Sequence, residues 1–150
     1  MYELQVYKVN HSKPIWKHSP VGPSAAFQGG HIYFQTVDNA LRYPGVIQAD
    51  AQTGKSRTQV FHEDDTRFNV ELHKPANQRD IFIKTANALS QRIGRIVGSS
   101  GVEWMTPAIP KDAHGSGISL FPVSAHAYAT NKSIVVNGKS YALPKNIKTQ

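Results

Sequence analysis

At 150 residues, with 39% hydrophobic and 18% charged content, the chain has the composition of a packed domain or a piece of one, not of a disordered tail. The absence of cysteine excludes disulfides and thiolate-metal sites. The formal charge of +7 permits an anionic partner such as RNA, yet the 17 basic residues are scattered, with no run of three and no nucleic-acid motif.

The first elements follow from alternation and from breakers. Glu3 to Val9 alternates Leu4 and Val6 against Glu3, Gln5 and Tyr7, which predicts a half-buried strand. Lys13-Pro14 interrupts it, Ile15 to His18 forms a short second strand, and Ser19-Pro20-Val21-Gly22-Pro23-Ser24 reads as a loop. Ala25–Phe27, His31–Thr36, Val46–Asp50 and Thr58–Glu63 then make four strands, with a hairpin-type turn at Thr53-Gly54-Lys55. A second set of four follows at Phe68–Leu72, Asp80–Lys84, Arg92–Val97 and Val102–Met105. Apolar residues at Leu89, Ile93, Ile96 and Val97 also fit a helix over Ala86–Ile96 with Thr85 as its N-cap, but Gly94 and the β-branched residues favour the strand. Gly117–Phe121, Ala125–Thr130, Ser133–Asn137 and Ser140–Leu143 make a third set, the last two joined by Asn137-Gly138, a type I′ hairpin signal.

Three of these strands are variations on one theme. Gly30-His31-Ile32-Tyr33-Phe34-Gln35-Thr36 is echoed by Arg79-Asp80-Ile81-Phe82-Ile83-Lys84-Thr85 and, more faintly, by Ser124 to Thr130, the closing threonines lying 49 and 45 residues apart. A period of about 40–50 residues opening on an apolar-aromatic strand is that of β-propeller blades, which bury their faces on one another. The expected fold is therefore all-β: a partial β-propeller of about three to four antiparallel four-stranded blades, not closed into a ring. Residues 2–18 end one blade, 24–63 and 67–105 are blades, and 115–147 is a weaker one, all in a single domain of residues 1–150.

The segment from Gly30 to Asp38, followed by Leu41-Arg42 and Pro44, resembles a blade of the prolyl oligopeptidase family, in particular its oligopeptidase B-like branch. The likeness continues through Val60-Phe61-His62-Glu63-Asp64-Asp65-Thr66-Arg67-Phe68-Asn69-Val70, an acidic stretch followed by a Phe and a strand. It covers residues 4–100, with Tyr43 set between Arg42 and Pro44 as a departure. The motif positions it marks are Asp38, Arg42, Glu63, Asp64, Asp65, Arg67 and Phe68. The resemblance implies a propeller that restricts a serine peptidase to short peptides, cut after basic residues, with the catalytic Ser, Asp and His in an α/β-hydrolase domain.

No such domain is written in these residues. A nucleophile elbow needs Gly-x-Ser-x-Gly at a strand-to-helix turn, and Gly98-Ser99-Ser100-Gly101 and Gly115-Ser116-Gly117 have the wrong spacing. His31, His62, His73 and His126 lie in or beside strands without a zinc-motif spacing, and Glu63-Asp64-Asp65 lacks the alternation of a calcium loop. That acidic run reads as a salt-bridged turn near Arg67, and Trp16, Trp104 and the phenylalanines at 27, 34, 61, 68, 82 and 121 read as interblade packing. No catalytic residue, metal or cofactor is expected.

An open propeller exposes a blade face and a strand edge, so self-association or a second chain over that face is expected. Peptide substrates enter only in the context of a full peptidase. The other class of function is a non-catalytic scaffold binding protein or RNA in a larger assembly. No apolar run approaches the roughly 18–20 residues of a membrane helix, and Met1-Tyr2-Glu3-Leu4 has no signal-peptide character, so a cytoplasmic location is expected.

Overall fold

Alternating apolar residues place most of the described residues in strands. A computed structural model describes residues 2–74, 79–87 and 90–106, and the strand backbones at 109–110, 127–129, 133–136 and 139–142. An antiparallel hairpin of β1 (Tyr2–Tyr7) and β2 (Pro14–Val21) is followed by a meander of β3 (Ala25–Gln28), β4 (His31–Gln35), β5 (Gly45–Asp50) and β6 (Thr58–His62). A second meander joins β7 (Asn69–His73), β8 (Phe82–Ala86), β9 (Ser90–Ile96) and β10 (Val102–Trp104). Its outer strand is broken: β11 (Ile109–Pro110) pairs with the start of β9, whose end pairs with β10, and Met105 and Thr106 both donate to the Ile93 carbonyl at the break. Three further strands, β12 (Ala127–Ala129), β13 (Ser133–Val136) and β14 (Lys139–Ala142), form a third meander.

Among the described residues every pairing is antiparallel, and no sheet closes on itself. The fold is all-β and open, of the partial propeller type. Among the described residues the only helical piece is a 3-10 turn at Gly98–Ser100, and no helix is long and apolar enough to cross a membrane. Asn137-Gly138 lies outside the described residues, but Val136 pairs with Lys139 on either side of it.

Both faces of the first meander are buried, which explains why β4 is apolar at consecutive positions. Ile32, Phe34 and Ala49, with Ile47, pack on Val6, Val21, Leu4 and Trp16 of the hairpin. Tyr33, Val46 and Val60 pack the other way, on Val70, Leu72, Ile81, Ile83 and Ile96 of the second meander. The repeat seen along the chain is thus a repeat in space. Ile81 and Ile83 meet the preceding sheet as Ile32 and Phe34 meet the hairpin, 49 residues earlier. Each such side chain contributes roughly 1.5–3 kcal/mol on burial.

The structure alters two sequence expectations. The segment Ser19-Pro20-Val21 is not loop but the end of β2: Val21 pairs with Tyr2 across a register irregularity and is buried among the hairpin contacts. Pro20 is tolerated there because it falls in that irregularity, where it has no register partner on β1. Phe27, expected as packing, is 51% exposed. The hairpin's apolar residues pack on β4 and β5, and Phe27 is not among the residues of that cluster.

One polar residue sits in the seam between sheets. Gln35 is fully buried; its Nε2 donates to the Val70 carbonyl, and its Oε1 accepts from the Ser24 N–H at 2.8 Å. Gly22 must be glycine for this: a Cβ there would lie 2.4 Å from Gln35 Oε1. Gln35→Leu keeps the volume but strands both backbone groups, so unfolding free energy should fall by about 2 kcal/mol in urea denaturation. An unchanged midpoint would show that Gln35 does not tie the two sheets.

Candidate functional site

The motif positions converge on one end of the first meander, where the β4–β5 loop (36–44) meets the β6–β7 loop (63–68). Asp38 organises the first loop: its Oδ1 accepts the N–H groups of Ala40 and Arg42, both at 2.9 Å, and its Oδ2 pairs with Arg42 Nη2 at 2.6 Å. Leu41 takes a left-handed conformation (φ 59°) within this turn. The Arg42 N–H, then the Ala40 N–H and the Arg42 guanidinium, hold the Asp38 carboxyl below its ordinary range. From that anchored position Arg42 Nη1 donates to the Thr66 carbonyl at 2.6 Å, and the Glu63 N–H donates to the Pro44 carbonyl at 2.7 Å. The two loops are therefore clamped together by side chain and backbone.

The second loop is folded by its own acids. Glu63 Oε1 accepts the Asp65 N–H at 3.1 Å, and Asp65 takes Arg67 in a forked pair, Nε to Oδ1 at 2.9 Å and Nη2 to Oδ2 at 2.7 Å. Phe68, partly buried, ends the loop by donating its N–H to the Asp65 carbonyl, and the strand starts one residue later at Asn69. Asp64 is exposed and meets His62 Nδ1 at 2.9 Å. Each carboxylate here meets a basic group or an N–H, so the arrangement is a clamp that shapes two loops.

The Arg67 side chain, and then its N–H, lower Asp65 from 3.8 to about 2. A carboxylate depressed in the folded state adds stability above its unfolded pKa and loses it as pH falls toward the folded one. The loop contribution is thus present above about pH 4 and disappears as pH falls toward 2. A carbon-detected NMR titration should place Asp65 near its lowered value, and Arg67→Gln should return it toward 3.8. A titration unmoved by Arg67→Gln would exclude the forked pair.

The other candidates lie elsewhere. Gly98 to Gly101 is the tight connection between β9 and β10, closed by the Val97 N–H on the Gly101 carbonyl at 2.9 Å, and not a strand-to-helix elbow. Gly115-Ser116-Gly117, His126 and Phe121 are outside the described residues. Among the described residues no three His, Asp or Glu side chains are grouped as a metal site would need. His31 and His73 are half-buried and His62 is exposed. Burial lowers the His73 pKa, and His18 is lowered by burial and then by Arg57.

Two clusters had no sequence signature. Arg92 lies 3.4 Å over the Trp104 ring, which meets Phe61 edge-on at 5.6 Å, joining β9, β10 and β6. Burial lowers the Arg92 pKa, with Glu63 acting in the opposite sense. Arg95, 5% exposed, contacts Glu103 at 3.0 Å and Asp80 at 3.5 Å. Only alternation could have pointed inward at Arg95, and charge argued the other way.

Comparison with known proteins returned no match: no family model, no curated protein and no solved structure corresponds to this chain.

Proposed function

We propose that this chain is a non-catalytic propeller segment that gates peptide access to a serine oligopeptidase centre of the prolyl oligopeptidase type, supplied by a separate hydrolase domain. The observation that carries the reading is the clamp between the two loops. The residues quoted for the family resemblance, Asp38 and Arg42 on one side and Glu63 to Phe68 on the other, lie far apart in sequence yet meet through the Arg42–Thr66 bond. Their bonds are loop-shaping, which fits a gate that excludes large substrates and performs no chemistry. The stacking of sheets on both faces of β4 supports the same reading, since a gate must be rigid.

Among the described residues no strand pairs with the edge of β1 opposite β2. That edge is the natural seam for a covering chain or a second copy.

A dibasic fluorogenic peptide and a full-length protein substrate test the reading, each offered to a propeller-less oligopeptidase hydrolase domain with and without this chain. The chain alone should give no turnover. Added to the hydrolase domain, it should spare cleavage of the peptide and suppress cleavage of the protein. Turnover by the chain itself, or a hydrolase domain indifferent to it, would overturn the proposal.

A further inference from the structure

The end of the sheets opposite the clamp collects cations that have no acidic partner among the described residues. The β1–β2 loop carries Lys8 and Lys13, the β5–β6 turn Lys55 and Arg57, and the segment between β7 and β8 Lys74 and Arg79. These turns are physically continuous. Trp16 Nε1 donates to the Ala51 carbonyl at 2.8 Å, and the Ala51 N–H donates to the Gly30 carbonyl at 3.0 Å. Gln28 Nε2 then donates to the Arg79 carbonyl at 2.8 Å, and Lys74 Nζ to the Phe27 carbonyl at 2.9 Å. The three turns belong to sheets stacked face to face, about 10 Å apart, and these bonds join them into one band.

Charge along the band is one-sided. All of these lysines and arginines are exposed, and among the described residues none of them forms an ion pair. The acids nearby are already engaged: Asp50 accepts the N–H groups of Gln52 and Thr53, and Asp80 is buried beside Arg95. At the clamp end, by contrast, Asp38, Asp64 and Asp65 are each matched to a basic group. Two aromatic rings share the band. Phe27 is 51% exposed where β3 turns, beside the Lys74 contact, and Tyr7 is 47% exposed where β1 enters its loop. Unpaired cations interleaved with exposed rings are the chemistry of single-stranded nucleic-acid binding, cations tracking phosphates and rings stacking bases.

We propose that this turn end is a binding surface for single-stranded RNA. The proposal rests on the arrangement of the sheets and is independent of the gating reading, because it uses neither the clamp nor a hydrolase domain. Acidic polypeptide is the competing polyanion, and the stacking rings favour nucleic acid over it.

Fluorescence anisotropy with a labelled oligouridylate, from about 50 to 200 mM salt, tests the surface. Single strands lose affinity with a logarithmic slope of about −0.7 per phosphate contact, so a slope of about −2 or steeper is expected. The variant Lys8→Gln, Lys13→Gln, Lys55→Gln, Arg79→Gln changes side chains without described partners, so it should fold normally and bind at least tenfold more weakly. Phe27→Ala should weaken oligouridylate binding about fivefold at unchanged salt slope, as loss of a stacked base does. Absence of salt-dependent binding, or wild-type binding by the glutamine variant, would overturn the surface. Polyglutamate binding as tightly as oligouridylate, with Phe27→Ala without effect, would overturn its assignment to RNA in favour of acidic protein.

Discussion

Phe34→Ala should lower the unfolding free energy by about 3–5 kcal/mol, and Tyr33→Ala by a similar amount. Each side chain is almost fully buried, at 2% and 1% exposure, although neighbours on a strand point in opposite directions. Phe34 packs toward the hairpin, with His18 at 5.5 Å and the Arg57 guanidinium at 5.9 Å over its ring. Tyr33 packs toward β7 and β8 and accepts a 2.9 Å hydrogen bond from Gln48 Nε2. Because a domain's whole stability is about 5–15 kcal/mol, either loss is a large fraction of it. Phe27→Ala, on an exposed ring, should change stability by less than about 0.5 kcal/mol. Urea denaturation ranks the three variants. Hydrogen exchange then separates the two large ones, Phe34→Ala loosening β1 and β2 and Tyr33→Ala loosening β7 and β8. Equal effects from Phe27 and Phe34 would mean that β4 is not sandwiched between sheets.

Gly94→Val should cost about 3 kcal/mol, near the upper end for overpacking. A Cβ at this position would lie 2.6 Å from Val102 Cγ1, 2.8 Å from the Glu103 carbonyl oxygen and 3.0 Å from Trp104 Cε3. The substitution therefore pushes β10 off β9 and takes Trp104 from between Phe61 and Arg92. In a Trp16→Phe background the remaining emission reports Trp104 alone, and Gly94→Val should shift it to the red as the ring meets water. Unshifted emission with full stability would show that β10 does not close over Gly94.

The segment around Gly94 also shows where sequence reasoning succeeds. Apolar spacing over Ala86–Ile96 fits a helix as well as a strand, and composition decides correctly: β9 runs from Ser90 to Ile96, and Thr85, a possible cap, is buried in β8. Glycine weakens helices, and here its missing side chain is what lets the neighbouring strand approach. The Glu63–Arg67 turn was legible for a similar reason, because its bonds span only two residues. The clamp of Arg42 onto Thr66 was not, since it joins residues 24 positions apart. Nor were the buried positions of Gln35 and Arg95, because composition assigns a polar side chain to water and only a partner brought from afar reverses that assignment.

What this chain's residues settle alone is local: strands of period two, turns at glycine and proline, and an echo at 49 residues that makes one sheet resemble the next. Packing decided the rest. Which face of β4 meets the hairpin and which the second meander, why Phe27 stays in water, and how unpaired cations line one end while paired acids hold the other all depend on contacts across long stretches of chain. Hydrogen-bonded turns are set by neighbours a few residues away. Burial and charge pairing are set by whatever surface the folded chain lays alongside.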